Sequence, residues 1–387
     1  MDSFGTKYTW NSTRFLVNPF TCVGSTSHDA SRTHGSCVVC KVHGRIPMKA
    51  AFLIVLGLGL CAITLMTPVK DYDIFVPQGW PNPRYNFRNN PLSNEGFELG
   101  RSLFYDPILS KDSTVSCASC HLQFTAFAHV DHPTSHGVDS RVGKRNAPGL
   151  MNLAWYPFFH WDGGALNLDG QALNPITHPD EMGSDLGTVL YKLKRQKEYV
   201  AAFKKVFGTE DIKTQHLLKA LAQFTVSLVT CNSKYDRMKR KEAEFSEQEK
   251  KGYALFQQHC NQCHQEPLFT NFEFKANGIG VNTALVDSGR TNISGKVKDA
   301  FLFRVPTLRN VEYSFPYMHD GRFNHLKEVI GHYAQPADWI LPISSELMKK
   351  KYALNSDQQK DLLAFLKTLT DKGFLFNPIF GYSSVVK

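Results

Sequence analysis

Two pentapeptides, Cys117-Ala-Ser-Cys-His121 and Cys260-Asn-Gln-Cys-His264, constrain this chain more than any other feature. In each, two cysteines three residues apart fall along one side of a helical turn, and a histidine follows directly. Three chemistries use such pairs. A structural zinc needs four ligands, and neither unit has a second cysteine pair nearby. A thioredoxin-like dithiol wants a βαβ context, which neither unit has. The third is covalent attachment of haem c, in which the two sulfurs form thioethers with the vinyl groups and the adjacent imidazole reaches the iron. The same helix signature precedes both units, Leu99-Gly-Arg-Ser-Leu-Phe104 and Lys251-Gly-Tyr-Ala-Leu-Phe256. The chain therefore reads as a diverged duplication of a small helical unit. It is expected to carry two covalently bound haem c groups, held by Cys117, Cys120 and His121 and by Cys260, Cys263 and His264.

A chain of 387 residues is comfortable for two domains. Met48-Lys-Ala-Ala-Phe-Leu-Ile-Val-Leu starts an apolar run that ends near Met66, a length suited to a signal peptide or a short membrane anchor. Residues 1–47 read as an extension ahead of the true start at Met48. Covalent haem attachment takes place outside the cytoplasm, so the expected location is the periplasm, in soluble or tethered form. Residues 67–94 are Pro- and Asn-rich and read as an irregular lead-in. The fold class is mostly α, with two cytochrome c-like haem domains in tandem, 95–240 and 241–387, and long irregular loops. Amphipathic periodicity predicts helices over about 184–206, 211–230 and 356–370. Residues 122–183 are rich in Gly, Pro, Asn and aromatics and carry little periodicity. Ser246-Glu-Gln-Glu249 is a capping box launching the helix into the second cysteine unit. The run 234–251 reads as an exposed hinge or solvated helix start, and Cys231, alone in an apolar stretch, as an inert core thiol.

The formal charge of +9 is not a nucleic-acid signature. Residues 1–66 account for +4 of it, each haem would add two propionates, and no basic stripe with interleaved aromatics appears.

Beyond the cysteine units, three blocks stand out: Gly143-Lys-Arg-Asn-Ala-Pro148, Phe159-His-Trp-Asp-Gly163 and Gln171-Ala-Leu-Asn-Pro-Ile-Thr-His-Pro-Asp-Glu-Met-Gly183. A further pair is Phe303-Arg-Val-Pro-Thr-Leu-Arg-Asn310 and Pro316-Tyr-Met-His-Asp-Gly321. With these blocks the chain resembles the bacterial di-haem cytochrome c peroxidases, a family that includes the maturase of methylamine dehydrogenase. The resemblance runs from about Pro77 to Leu369. It implies reduction of H2O2 to water at the first haem, with electrons entering at the second from a small cytochrome or cupredoxin. It implies that Glu181, with Gln171, shuttles a proton between the two oxygens of peroxide, and that Trp161 relays electrons. It further implies a calcium ion between the domains, on the Asn146 side chain and the main-chain oxygens of Arg304 and Pro306, and commonly a homodimer. Two departures are visible. The loop that carries a distal histidine in classical members has His129, His132 and His136 crowded beside the expected place, near Val138. The axial Met of the second haem (Tyr in the maturase) should fall near Phe323, which cannot bind iron; Met318, His319 and His325 are the near alternatives. The alternative functions are oxidation of a partner protein's side chains, as in the maturase, and electron transfer without catalysis.

Overall fold

The structure is a computed structural model and describes residues 74–334 and 352–382. Residues 1–47 and the leader 48–66 lie outside the described residues. Among the described residues no helix is long and apolar enough to cross a membrane.

The described chain is mostly helical with little sheet. In order it forms α1 (Asn94–Tyr105), α2 (Cys117–Cys120), α3 (Leu168–Gln171), α4 (Leu173–Thr177), α5 (Leu186–Lys194), α6 (Lys197–Phe207) and α7 (Thr214–Val226). There follow α8 (Lys234–Lys239), α9 (Glu247–His259), β1 (Phe274–Lys275), α10 (Thr291–Ser294), β2 (Phe303–Arg304), α11 (Leu326–Ala334), α12 (Ser356–Lys367) and α13 (Lys372–Leu375). The only sheet among them is the antiparallel pair β1–β2, with Phe274 opposite Arg304 and Lys275 opposite Phe303. Between α2 and α3 the chain carries only short 3-10 turns, and α3 and α4 interrupt the rest of the stretch read as irregular.

The repeated glycine of the two signatures explains how the helices pack. On α1, a Cβ added to Gly100 would stand 2.0 Å from the carbonyl oxygen of Ala220 on α7. On α9, a Cβ at Gly252 would stand 1.9 Å from the carbonyl oxygen of Asp361 on α12. The same device thus brings two backbones into contact twice, each time in the helix that leads to a cysteine unit. Phe104 and Phe256, four residues after those glycines, enter two separate apolar cores. One core gathers Leu103, Phe104, Phe127, Phe203 and Phe224. The other gathers Phe245, Phe256, Phe269, Ile330 and Phe365. A third cluster around Trp155, with Leu92, Phe159 and Leu268, fills the space beneath the lead-in.

Caps follow the sequence closely. Ser93 Oγ accepts from the Gly96 amide at 2.9 Å to start α1. The box at α9 is formed as expected: Ser246 Oγ accepts from the Glu249 amide at 3.2 Å, and Glu249 Oε2 accepts from the Ser246 amide at 2.6 Å.

Three expectations need correction. The helix expected over 184–206 is two, α5 and α6, because the extended backbone of Gln196 (φ −96°, ψ 110°) separates them. The break lets Val189 and Leu193 on one side, and Tyr199 and Phe203 on the other, enter the same core. The run 234–251 is not simply solvated. Asp236 on α8 is buried and takes a bidentate ion pair from the fully buried Arg309, at 2.8 and 2.9 Å. Burial alone would raise the Asp236 carboxyl, but Arg309 and Ser233 bring it below the usual range. Finally, Cys231 is buried as expected but is disulfide-bonded rather than a thiol.

Candidate active site

The two cysteine units fold alike. Cys117 and Cys120 form α2 itself, and His121 caps it; Cys260 caps α9, with Cys263 and His264 on the turn beyond. All four are free thiols, and burial pushes Cys117 and Cys260 up to about 12. That is the reverse of a reactive dithiol, whose thiolate must form near neutrality. In both units the histidine Nδ1 is held by a backbone carbonyl: His121 by Phe127 at 2.6 Å, His264 by Phe269 at 3.2 Å and Pro306 at 3.1 Å. Phe127 and Phe269 both adopt positive φ, 58° and 54°, turning the chain back over the imidazole. Burial lowers both imidazoles to about 4, so they stay neutral. A neutral imidazole with Nδ1 occupied presents Nε2 as its free donor, the arrangement metal-ligating histidines require. Among the described residues no cluster of three or more His, Cys, Asp or Glu could hold a metal ion by itself. The donor set suits a haem bonded through two sulfurs and one imidazole.

Beside the second unit lies a cavity of about 230 Å³. Its walls include Cys260, Cys263, His264, Trp161, Met318 and Tyr333. Met318 has a positive φ of 74°, and its sulfur accepts from Asn277 Nδ2 at 3.3 Å. His319 also reaches the cavity but stacks flat on Phe303, ring centroids 3.7 Å apart, with a buried Nδ1 that has no hydrogen-bond partner among the described residues. His325 is exposed. Phe323 is half-buried and packs 5.9 Å from His332, offering no donor. Tyr333 escaped the sequence reading. Leu326, Val329, Ile330 and Tyr333 recur at the spacing of one helical face and all four line the cavity, so the signal was present in α11. Burial, then the two nearby cysteines, raises its phenol.

Trp161 joins the two halves. Its Nε1 donates to the Asn146 carbonyl at 2.8 Å, and its own carbonyl accepts from the Arg304 amide at 2.7 Å. Asn146, Arg304 and Pro306 line the same cavity. The Asn146 side chain donates to the Pro133 carbonyl at 3.1 Å. Close by, Arg145 grips two carboxylates at once, Asp162 at 2.5 Å and Asp287 at 2.6 Å.

Glu181 lies on the first unit, near enough to raise the thiols of Cys117 and Cys120 electrostatically. Its own carboxyl is raised, by burial first and then by Asp180, against the opposing pull of His178. The backbone of Glu181 is pinned on both sides: its amide donates to His178 and its carbonyl accepts from Val138 at 2.8 Å. Gly137 presses so close that a Cβ there would stand 2.3 Å from the Glu181 carbonyl oxygen. The histidine loop is therefore wedged against Glu181 and Cys120, whose sulfur lies 3.5 Å from the His136 carbonyl oxygen. Its three rings cluster, His132 to His136 at 4.1 Å and His129 to His132 at 5.7 Å. Gln171 ends α3, and among the described residues no hydrogen bond joins it to Glu181.

The chain is similar to known proteins. Residues 94–244 match the family model described as di-haem cytochrome c peroxidase. The methylamine utilization protein MauG of Methylorubrum extorquens is 34% identical over 305 residues, 76% of this chain and 82% of that protein. The cytochrome c551 peroxidase of Nitrosomonas europaea is 34% identical over 284 residues, 72% of this chain and 81% of that protein. Among solved structures, a MauG-like protein associated with microbial copper homeostasis superposes with a TM-score of 0.71 at 30% identity, covering 80% of this chain and 99% of that one. The di-haem peroxidase BthA of Burkholderia thailandensis gives 0.65 at 25% identity, covering 76% and 90%.

Proposed function

The chain belongs to the di-haem cytochrome c peroxidase family, and from that premise we propose that it reduces H2O2 to water with electrons taken singly from a small redox protein. The balance is H2O2 plus two protons and two electrons giving two waters. The observation that carries the proposal is the Glu181 carboxyl, raised by burial and set beside the first cysteine pair.

In this reading Cys117, Cys120 and His121 would hold one haem, and Cys260, Cys263 and His264 the other. When bound, the haems supply the iron centre at which peroxide is reduced and the store for incoming electrons. Glu181 takes a proton from the near oxygen of peroxide and returns it to the far oxygen, which leaves as water. A carboxyl raised toward neutrality is suited to both halves of that transfer. Gln171 orients the substrate, and Trp161, hydrogen-bonded to Asn146 and to β2, carries electrons between the domains 95–240 and 241–387. A calcium ion would take the Asn146 side-chain oxygen and the Arg304 and Pro306 carbonyls, donors of the kind it prefers. The Pro306 carbonyl already accepts from His264, and a carbonyl oxygen carries two lone pairs. Export to the periplasm is part of the same proposal.

Steady-state consumption of H2O2 with a reduced small cytochrome tests the reading. Glu181→Gln is expected to lower turnover by about 10²-fold or more with both haems retained; an unchanged rate overturns the assignment. A second reading, oxidation of a partner protein's side chains, is favoured by Phe323, which puts a ring without a donor where the family's axial Met should fall. A protein that is inert with reduced cytochrome but oxidises a partner under H2O2 would establish it.

A further inference from the structure

Three arginines among the described residues are almost wholly buried, and two of them face a carboxylate. Arg309 holds Asp236, and Arg101 holds Glu98. Arg304 is 5% exposed, and no carboxylate among the described residues pairs with it. Its Nε donates to the His160 carbonyl at 3.2 Å, and its guanidinium lies over the Tyr156 ring, 4.7 Å from the centroid. The acid beside it is the Tyr156 phenol, which burial raises and so keeps neutral. One terminal nitrogen, Nη1, is buried with no hydrogen-bond partner among the described residues. A guanidinium cannot shed its proton to escape such a site, so a buried one is expected to have an anion. The cavity that Arg304 lines is the one walled by Cys260, Cys263 and His264.

We infer that Arg304 Nη1 receives a propionate carboxylate of the haem attached at Cys260 and Cys263. This rests on the proposed haem attachment. It accounts for an arginine with no acid of its own, because the counter-charge arrives with the cofactor. It also makes Arg304 a positioning residue: the planar fork matches a carboxylate and fixes how the haem turns within the cavity. The positive charge beside the ring would favour the reduced form of that haem over the oxidised form.

The test is a spectroscopically monitored redox titration of the holoprotein, with wild type, Arg304→Gln and Arg304→Lys compared. Covalent haem is first counted by mass. The Gln variant is expected to shift the midpoint potential of one haem downward and leave the other unmoved. The Lys variant, which keeps the charge, should restore most of the shift. Resonance Raman should show the propionate bending mode of that haem displaced in both variants, because Lys lacks the fork. If both haems are attached and neither the potential nor the propionate mode changes in the Gln variant, the inference is overturned while the haem reading stands. If wild type carries no haem on Cys260 and Cys263, the haem reading itself fails. Should the Gln variant not accumulate, an unchanged propionate mode in the Lys variant is equally decisive against the inference.

Discussion

Replacing Gly252 by alanine would put a methyl carbon 1.9 Å from the Asp361 carbonyl oxygen, where ordinary contact begins near 3.4 Å. The helices α9 and α12 would have to separate by about 1.5 Å, because the obstacle is backbone rather than the end of a flexible side chain. The Cβ of Phe365 waits at 2.9 Å, so sideways escape is closed as well. Overpacking of this kind costs about 3 kcal/mol, against about 1 kcal/mol gained by alanine in a helix interior, a net loss of about 2 kcal/mol. Gly331 on α11 is the matched control. Among the described residues a Cβ there meets nothing within 4 Å and its φ is ordinary, so Gly331→Ala should stabilise by about 0.5–1 kcal/mol. Urea unfolding of the two variants beside wild type, followed by circular dichroism, reads both signs in one experiment. If Gly252→Ala proves as stable as wild type, the close crossing of α9 on α12 is wrong. The case for a repeated packing device in the two halves would fall with it.

Three further outcomes follow from the same geometry. Asp236→Asn leaves the fully buried Arg309 facing a neutral group and should cost about 3–5 kcal/mol in urea unfolding, much of it recovered when Arg309→Met is added. Because burial raises the Glu181 carboxyl, the native state holds that proton more tightly than the unfolded chain. The contribution is fully present below the unfolded value near 4.5 and is lost as pH rises through the folded value, so wild type should lose stability relative to Glu181→Gln over that window; parallel profiles of the two proteins would refute it. Removal of calcium by a chelator should lower the unfolding midpoint of wild type and leave Asn146→Ala unmoved, and an identical response in both would exclude Asn146 as a ligand.

The sequence was most legible where chemistry is local. The cysteine units, the capping box at Ser246 and Glu249 and the helix Ser356–Lys367 depend on residues a few positions apart, and each appears where expected. Legibility fell where the deciding partner is remote. Asp236 sits among Lys and Arg in the chain, yet its ion pair is with Arg309, 73 residues on, so a linear window reads a buried acid as a solvated one. The glycines of the two signatures were visible as a repeat, but their purpose depends on carbonyls of Ala220 and Asp361 more than a hundred residues away. The Phe303-Arg-Val-Pro block was legible as a match, but that no carboxylate among the described residues pairs with Arg304 was not, since only a fold can show which groups come near. Tyr333 was missed for a different reason. The expected ligand position falls at Phe323 and its neighbours in the chain, while the helix beyond them carries its tyrosine back to the cavity.

Arg145 binds Asp162 and Asp287 together, next to the Asn146 carbonyl on which Trp161 Nε1 is seated. Electron tunnelling through protein falls steeply with distance, so a conductor between two centres is only as steady as its mounting. With Asp162 and Asp287 each less than a tenth exposed, the ends of this clamp are shielded from mobile ions. Under the proposed reading, the rate at which one half charges the other would therefore stay constant as the surrounding salt changes. Docking of the outside electron donor on the exposed surface would carry all of the ionic-strength dependence.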